Sequence, residues 1–81
     1  MFIAVKYYKD APVSGFAGAA YTYETHREDV AVVGTKVAAP VKNRKTGVSE
    51  DKKAIVVETG LSKPPFPCAV ITQTWEETGN D

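Results

Sequence analysis

The chain has 81 residues, with ten Lys and Arg balancing ten Asp and Glu, and is 43% hydrophobic and 25% charged. That describes one small globular domain spanning 1–81, too short for a helicase motor, a dinucleotide-binding enzyme or a barrel of eight βα units. The apolar content excludes disorder. The absence of any run of about 18 apolar residues excludes a helical membrane span.

Helical spacing is scarce, and β-branched and aromatic residues fall in short alternating runs. Phe2 to Tyr8 (FIAVKYY) places Ile3, Val5 and Tyr7 on one face and Ala4, Lys6 and Tyr8 on the other. Met1 to Val5 is followed at once by Lys6, without a basic leader or a long apolar stretch, so it reads as a first strand and not a signal peptide. Residues 9 to 19 contain Pro12, Gly15 and Gly18 and read as a loop or irregular hairpin, with Phe16 tucking it onto the core. Residues 20 to 26 alternate again: Tyr21, Tyr23 and Thr25 share one face, and Thr22, Glu24 and His26 the other.

A polar turn at Arg27-Glu28-Asp29 leads through apolar Val30 to Val33 to Gly34. Thr35 to Val41 is a strand with Val37, Ala39 and Val41 on one face, and Pro40 either ends it or marks it as an edge. Residues 42 to 51 form a polar loop, and Lys53 to Thr59 is the most β-prone run. Residues 60 to 67 are an extended, proline-rich connector. Cys68 to Glu76 reads as the last strand, pinned by Trp75, and Thr78 to Asp81 as a frayed end. Five strands with these turn signals predict an all-β fold, a small five-stranded, partly open barrel that is OB-like or SH3-like.

Chemistry is sparsely represented. Cys68 is the only cysteine and His26 the only histidine. They cannot supply a structural zinc site, and Cys68 lacks the accompanying glycine of an oxyanion hole, so it reads as a buried small apolar side chain. His26 reads as a surface residue. The acidic pairs Glu28-Asp29, Glu50-Asp51 and Glu76-Glu77 are adjacent in sequence, and neighbours on a strand face opposite sides. No catalytic residue, metal or cofactor is expected. A lone cysteine forms no internal disulfide, which points to the cytoplasm.

The balanced charge conceals a polarity. Residues 36 to 63 hold seven basic and three acidic residues, net +4, and the remainder holds three basic and seven acidic, net −4. A hairpin over residues 42 to 53 would gather Lys42, Arg44, Lys45, Lys52 and Lys53 into a basic arm, an attractor of phosphate. Tyr21 and Tyr23 are candidate stacking platforms for bases, with Tyr8 and Phe66 as further candidates, since exposed aromatics beside a basic groove hold single strands.

The order Tyr21-Thr22-Tyr23, then Gly34-Thr35-Lys36-Val37-Ala38-Ala39-Pro40-Val41, then Lys52-Lys53-Ala54-Ile55-Val56-Val57 resembles the small β domain that opens the primosomal replication-restart helicase family and binds the 3′ end of a DNA strand. Thr22 stands where that family carries an aspartate that helps recognise the terminal nucleotide, and Val41-Lys42 replaces its Phe-Gly. No phosphate-cradling Gly-x-x-x-x-Gly-Lys-Ser/Thr occurs, so a free-standing relative of the barrel is implied, without its motor. The expected function is a non-catalytic accessory of DNA replication or phage DNA metabolism that binds single-stranded DNA or RNA. The alternative is a protein-interaction or structural module, paired with itself or another protein, without nucleic-acid binding. No membrane partner is expected.

Overall fold

The computed structural model describes residues 1–9 and 15–79. Five strands build one antiparallel sheet: β1 (Phe2–Lys9), β2 (Gly15–Phe16), β3 (Tyr21–Glu24), β4 (Lys36–Lys42) and β5 (Ser49–Leu61). The central strand is β1. It pairs with β5 along one edge, while β2 and β3 lie end to end along the other. β4 pairs only with β5. Among the described residues no helix is long and apolar enough to cross a membrane.

The period-two faces of the sequence become the inside and outside of a curled sheet. Ile3, Val5, Val37, Ala39, Ala54 and Val56 meet in one core with Tyr23, Val30 and Ile71, and Tyr7 packs against it. Curvature comes from β5. Its pairing with β1 shifts register twice, between the partners of Phe2 and Ala4 and again between those of Ala4 and Val5. Each extra residue bends and twists the strand. Gly60 lies within the first irregularity at φ +69°, a conformation that a side chain resists.

The sequence places the fifth strand at Cys68–Glu76, and here the structure corrects it: β2, a two-residue piece, completes the five. Residues 68–74 carry only two isolated bridges, a parallel one from Val70 to Glu24 and an antiparallel one from Thr74 to Val37, and the chain then turns at Trp75 into a short 3-10 helix, Glu76–Thr78. Glu24 N–H donates to Ala69 O at 3.0 Å, and Ile71 N–H to Glu24 O at 2.8 Å. Ala38 N–H donates to Gln73 O at 3.2 Å, and Trp75 N–H to Lys36 O at 3.0 Å. The segment thus spans the gap between the outer edges of β3 and β4, bonding to each in turn. It forms no ladder with either, which is why it is not a strand.

Smaller corrections follow from the same geometry. β4 runs through Pro40 to Lys42. Ala38, two residues earlier, points its N–H away from β5, so the missing N–H of Pro40 falls on the same outer side and costs no ladder bond. The polar loop is shorter than 42 to 51, because β5 begins at Ser49. Phe16 packs edge to face on Tyr8, 5.4 Å between centroids, and not into the core. Cys68 is half-buried in the connector. Pro12 of the first loop and the end residues Asn80 and Asp81 lie outside the described residues.

Candidate nucleic-acid interface

The β4–β5 hairpin forms the expected basic arm. Its turn runs from Asn43 to Val48: Asn43 N–H donates to Val48 O at 2.9 Å, and Gly47 N–H to Asn43 O at 2.8 Å. The Asn43 side-chain oxygen accepts from the N–H groups of Lys45 and Thr46, an arrangement that starts turns. Gly47 takes φ +73° and lets the chain reverse. Arg44 and Lys45 therefore occupy the exposed tip.

Register decides where the other cations go. Lys42 faces Ser49, Lys52 faces Ala39 and Lys53 faces Ala38. Ala39 belongs to the core face, so Lys52 shares the inner side with the tyrosines. Lys42 and Lys53 lie on the outer side. Glu50 and Asp51 follow the same alternation, one to each side. Among the described residues, none of Lys42, Arg44, Lys45, Lys52 and Lys53 forms an ion pair with a carboxylate. Asp51 instead accepts from the Gln73 amide at 3.4 Å. The Lys53 ammonium sits 5.1 Å from the centroid of the Tyr8 ring, a cation–π contact.

The two candidate tyrosines take different parts. Tyr23 is buried; its hydroxyl donates to Pro40 O at 3.2 Å and pairs with the Tyr7 hydroxyl. Burial first, and the Tyr7 hydroxyl second, hold Tyr23 ionisation well above the ordinary tyrosine range. Tyr23 thus ties β3 to β4 at the base of the arm and offers no free face. Tyr21 is half exposed at 50% and lies 5.1 Å from Tyr7, tilted 32°. It borders an open groove of about 360 Å³, with Phe66, itself 55% exposed, contributing to the lining. The structure therefore brings Tyr21, Tyr23 and Lys52 to one side of the hairpin base and leaves Lys42 and Lys53 on the other.

Two features escaped the sequence reading. One is a fork at Arg27, read there only as part of a polar turn. Its guanidinium grips Asp29 through Nε at 3.0 Å and Nη2 at 2.5 Å, and donates through Nη1 to Glu77 at 2.6 Å and to Thr72 O at 3.1 Å. The other is a pocket of about 500 Å³ on the outer side, between the start of β4 and Trp75, lined by Lys36, Lys53, Thr74 and Glu76 among others. The buried Trp75 Nε1–H has no acceptor among the described residues. His26 is exposed, 3.8 Å from Glu24, and the Cys68 thiol donates to its local Phe66 carbonyl at 3.9 Å. No protein family, curated protein or solved structure matches the chain.

Proposed function

We propose that the protein is a non-catalytic β-barrel that binds single-stranded nucleic acid, as an accessory of DNA replication or phage DNA metabolism. The observation that carries this reading is the β4–β5 hairpin, whose five cations lack carboxylate partners among the described residues. Unpaired ammonium and guanidinium groups on a narrow arm concentrate phosphate and release its counterions on contact. Lys42, Arg44, Lys45, Lys52 and Lys53 touch phosphates. Tyr21, exposed beside the inner side of the arm, offers a ring on which a base stacks, while Tyr23 braces that ring's neighbour Tyr7. Similarity in residue order to the 3′-end-binding domain of replication-restart helicases supports the same reading. Thr22 in place of that domain's aspartate argues for strand binding without recognition of the terminal nucleotide.

A second reading, docking of a protein chain, is favoured by the groove between Tyr21 and Phe66, two half-exposed aromatics that leave apolar surface open. One titration separates the two. Fluorescence anisotropy of a labelled thymine octanucleotide should show micromolar binding at about 20 mM salt, where screening is weak, and steep weakening as salt rises. Replacing Lys42, Arg44 and Lys45 together by Ala should reduce the slope of log affinity against log salt by about 2, at about 0.7 per lost phosphate contact. Absence of binding at that low salt overturns the nucleic-acid reading, and salt-sensitive self-association in its place would favour docking.

A further inference from the structure

The outer face of the sheet carries a second set of lysines that the arm does not explain. Lys6 and Lys36 both pair with Ile55, one from β1 and one from β4, so they flank it on the same face. Lys53, two residues before Ile55 on β5, shares that face and is diagonal to Lys36, about 7–8 Å away through the backbone. None of the three forms an ion pair among the described residues. Like charges gathered on one face of a sheet repel, and among the described residues no ion pair offsets that cost.

The pocket opens beside this cluster. Trp75 is held at its wall by its own backbone, which donates to Lys36 O at 3.0 Å, and the neighbouring Thr74 bridges to Val37. Lys36, Lys53 and Trp75 therefore line one cavity of about 500 Å³, roomy enough for a mononucleotide unit. An indole next to two ammonium groups matches the two chemistries of a nucleotide: a flat ring to stack and a phosphate to neutralise. Glu76 also lines the cavity, and its carboxylate opposes the entry of a second phosphate.

We propose that this pocket is a nucleotide subsite, in which one phosphate of a bound strand lies between Lys36 and Lys53 and the adjoining base lies against Trp75. The inference rests on the single-strand reading above and extends the binding surface from the arm across the outer face. Lys53, common to the arm and the pocket, connects the two.

Trp75 is the only tryptophan in the chain, so its emission reports on this pocket alone. The whole protein is titrated with a thymine octanucleotide at about 20 mM salt, following tryptophan emission and, on a labelled copy of the strand, anisotropy. Emission should fall with the same midpoint as the anisotropy change, because a base stacked on the indole quenches it. Lys36→Ala, an exposed substitution outside the arm, should weaken binding several-fold and lower the salt slope by about 0.7, one phosphate contact on a single strand. In a protein that binds the strand, either an unchanged Trp75 emission or an unaffected K36A variant overturns the subsite and leaves the arm as the binding surface. A protein that shows no anisotropy change at all loses both readings together.

Discussion

Arg27 shows how a single side chain ties together segments far apart in the sequence. Its fork joins the turn after β3 to Thr72 and Glu77 at the far end of the chain. Glu77 at the same time accepts the Thr74 N–H at 2.7 Å, so one carboxylate holds both the arginine and the backbone. The hydrogen bonds from Arg27, foremost among the causes, keep the Asp29 and Glu77 carboxyls below their ordinary values of 3.8 and 4.5. The unfolded chain therefore binds more protons than the folded one as pH falls through this region, and stability declines with it. The contribution is complete above the ordinary values and is lost as pH drops through the lowered ones. Urea unfolding followed by circular dichroism between pH 7 and about pH 2 should show this decline in the parent chain and a flatter profile in Arg27→Ala. Arg27→Lys keeps the charge and loses the planar fork, so it should fall between the two. Equal acid sensitivity in parent and R27A would show that the fork does not hold the C-terminal segment.

At the scale of elements, the arm and the closing segment depend on the sequence in opposite ways. The arm was legible. Asn43 and Gly47 bracket three residues with turn chemistry, and the cations around them stood out by composition. What alternation also fixed, but charge counting alone obscured, is that Lys52 and Lys53 face opposite sides. The closing segment was legible only as extended chain. Its alternating β-branched residues are suited to a sheet, but nothing in them tells that Glu24 takes its bonds near Ala69 and Ile71 while Lys36 and Ala38 take theirs near Gln73 and Trp75. The Arg27 fork was hidden for a related reason, since its partners Asp29 and Glu77 lie 2 and 50 residues away. The pocket was hidden because Lys36, Lys53 and Trp75 meet only through strand register. Gly47 gives the arm a test of its own. Its φ of +73° is open to glycine and resisted by any side chain, although a Cβ there would meet no atom within 4 Å. Gly47→Ala should therefore cost about 1–2 kcal/mol through backbone conformation alone. The cost should appear as faster amide exchange in residues 43–52 while the β1 amides are unaffected, because the arm projects past the core cluster. Uniform acceleration across the sheet would mean that the arm and the rest of the sheet unfold as one unit.

For the molecule as a whole, the governing question is how an open sheet of this size stays folded. A domain this small has only a few kcal/mol in reserve and no disulfide to supplement it. The outer edges of β3 and β4 would each present unpaired backbone groups, the usual template for aggregation. Residues 69–75 answer both needs with the four backbone bonds already described and with Ile71, which is wholly buried in the common core beside Val30 and Thr25. The Thr25 hydroxyl donates to Ile71 O at 2.9 Å, so the segment is anchored by side chain and by backbone at the same point. Met1 joins this anchor, its ammonium group donating to Thr25 O at 3.0 Å. Removing the Ile71 side chain empties the core where the two edges meet. Ile71→Ala should cost about 2–5 kcal/mol, comparable with the entire stability of the domain, and should leave a large unfolded fraction at 25 °C. Exposing the β3 and β4 edges should also make the variant self-associate. Urea denaturation read by circular dichroism, with sedimentation on the same samples, measures both effects. A loss below about 1 kcal/mol, smaller than core truncations of this size cost, in a protein that stays monomeric would mean that the curled sheet holds its shape without the closing segment.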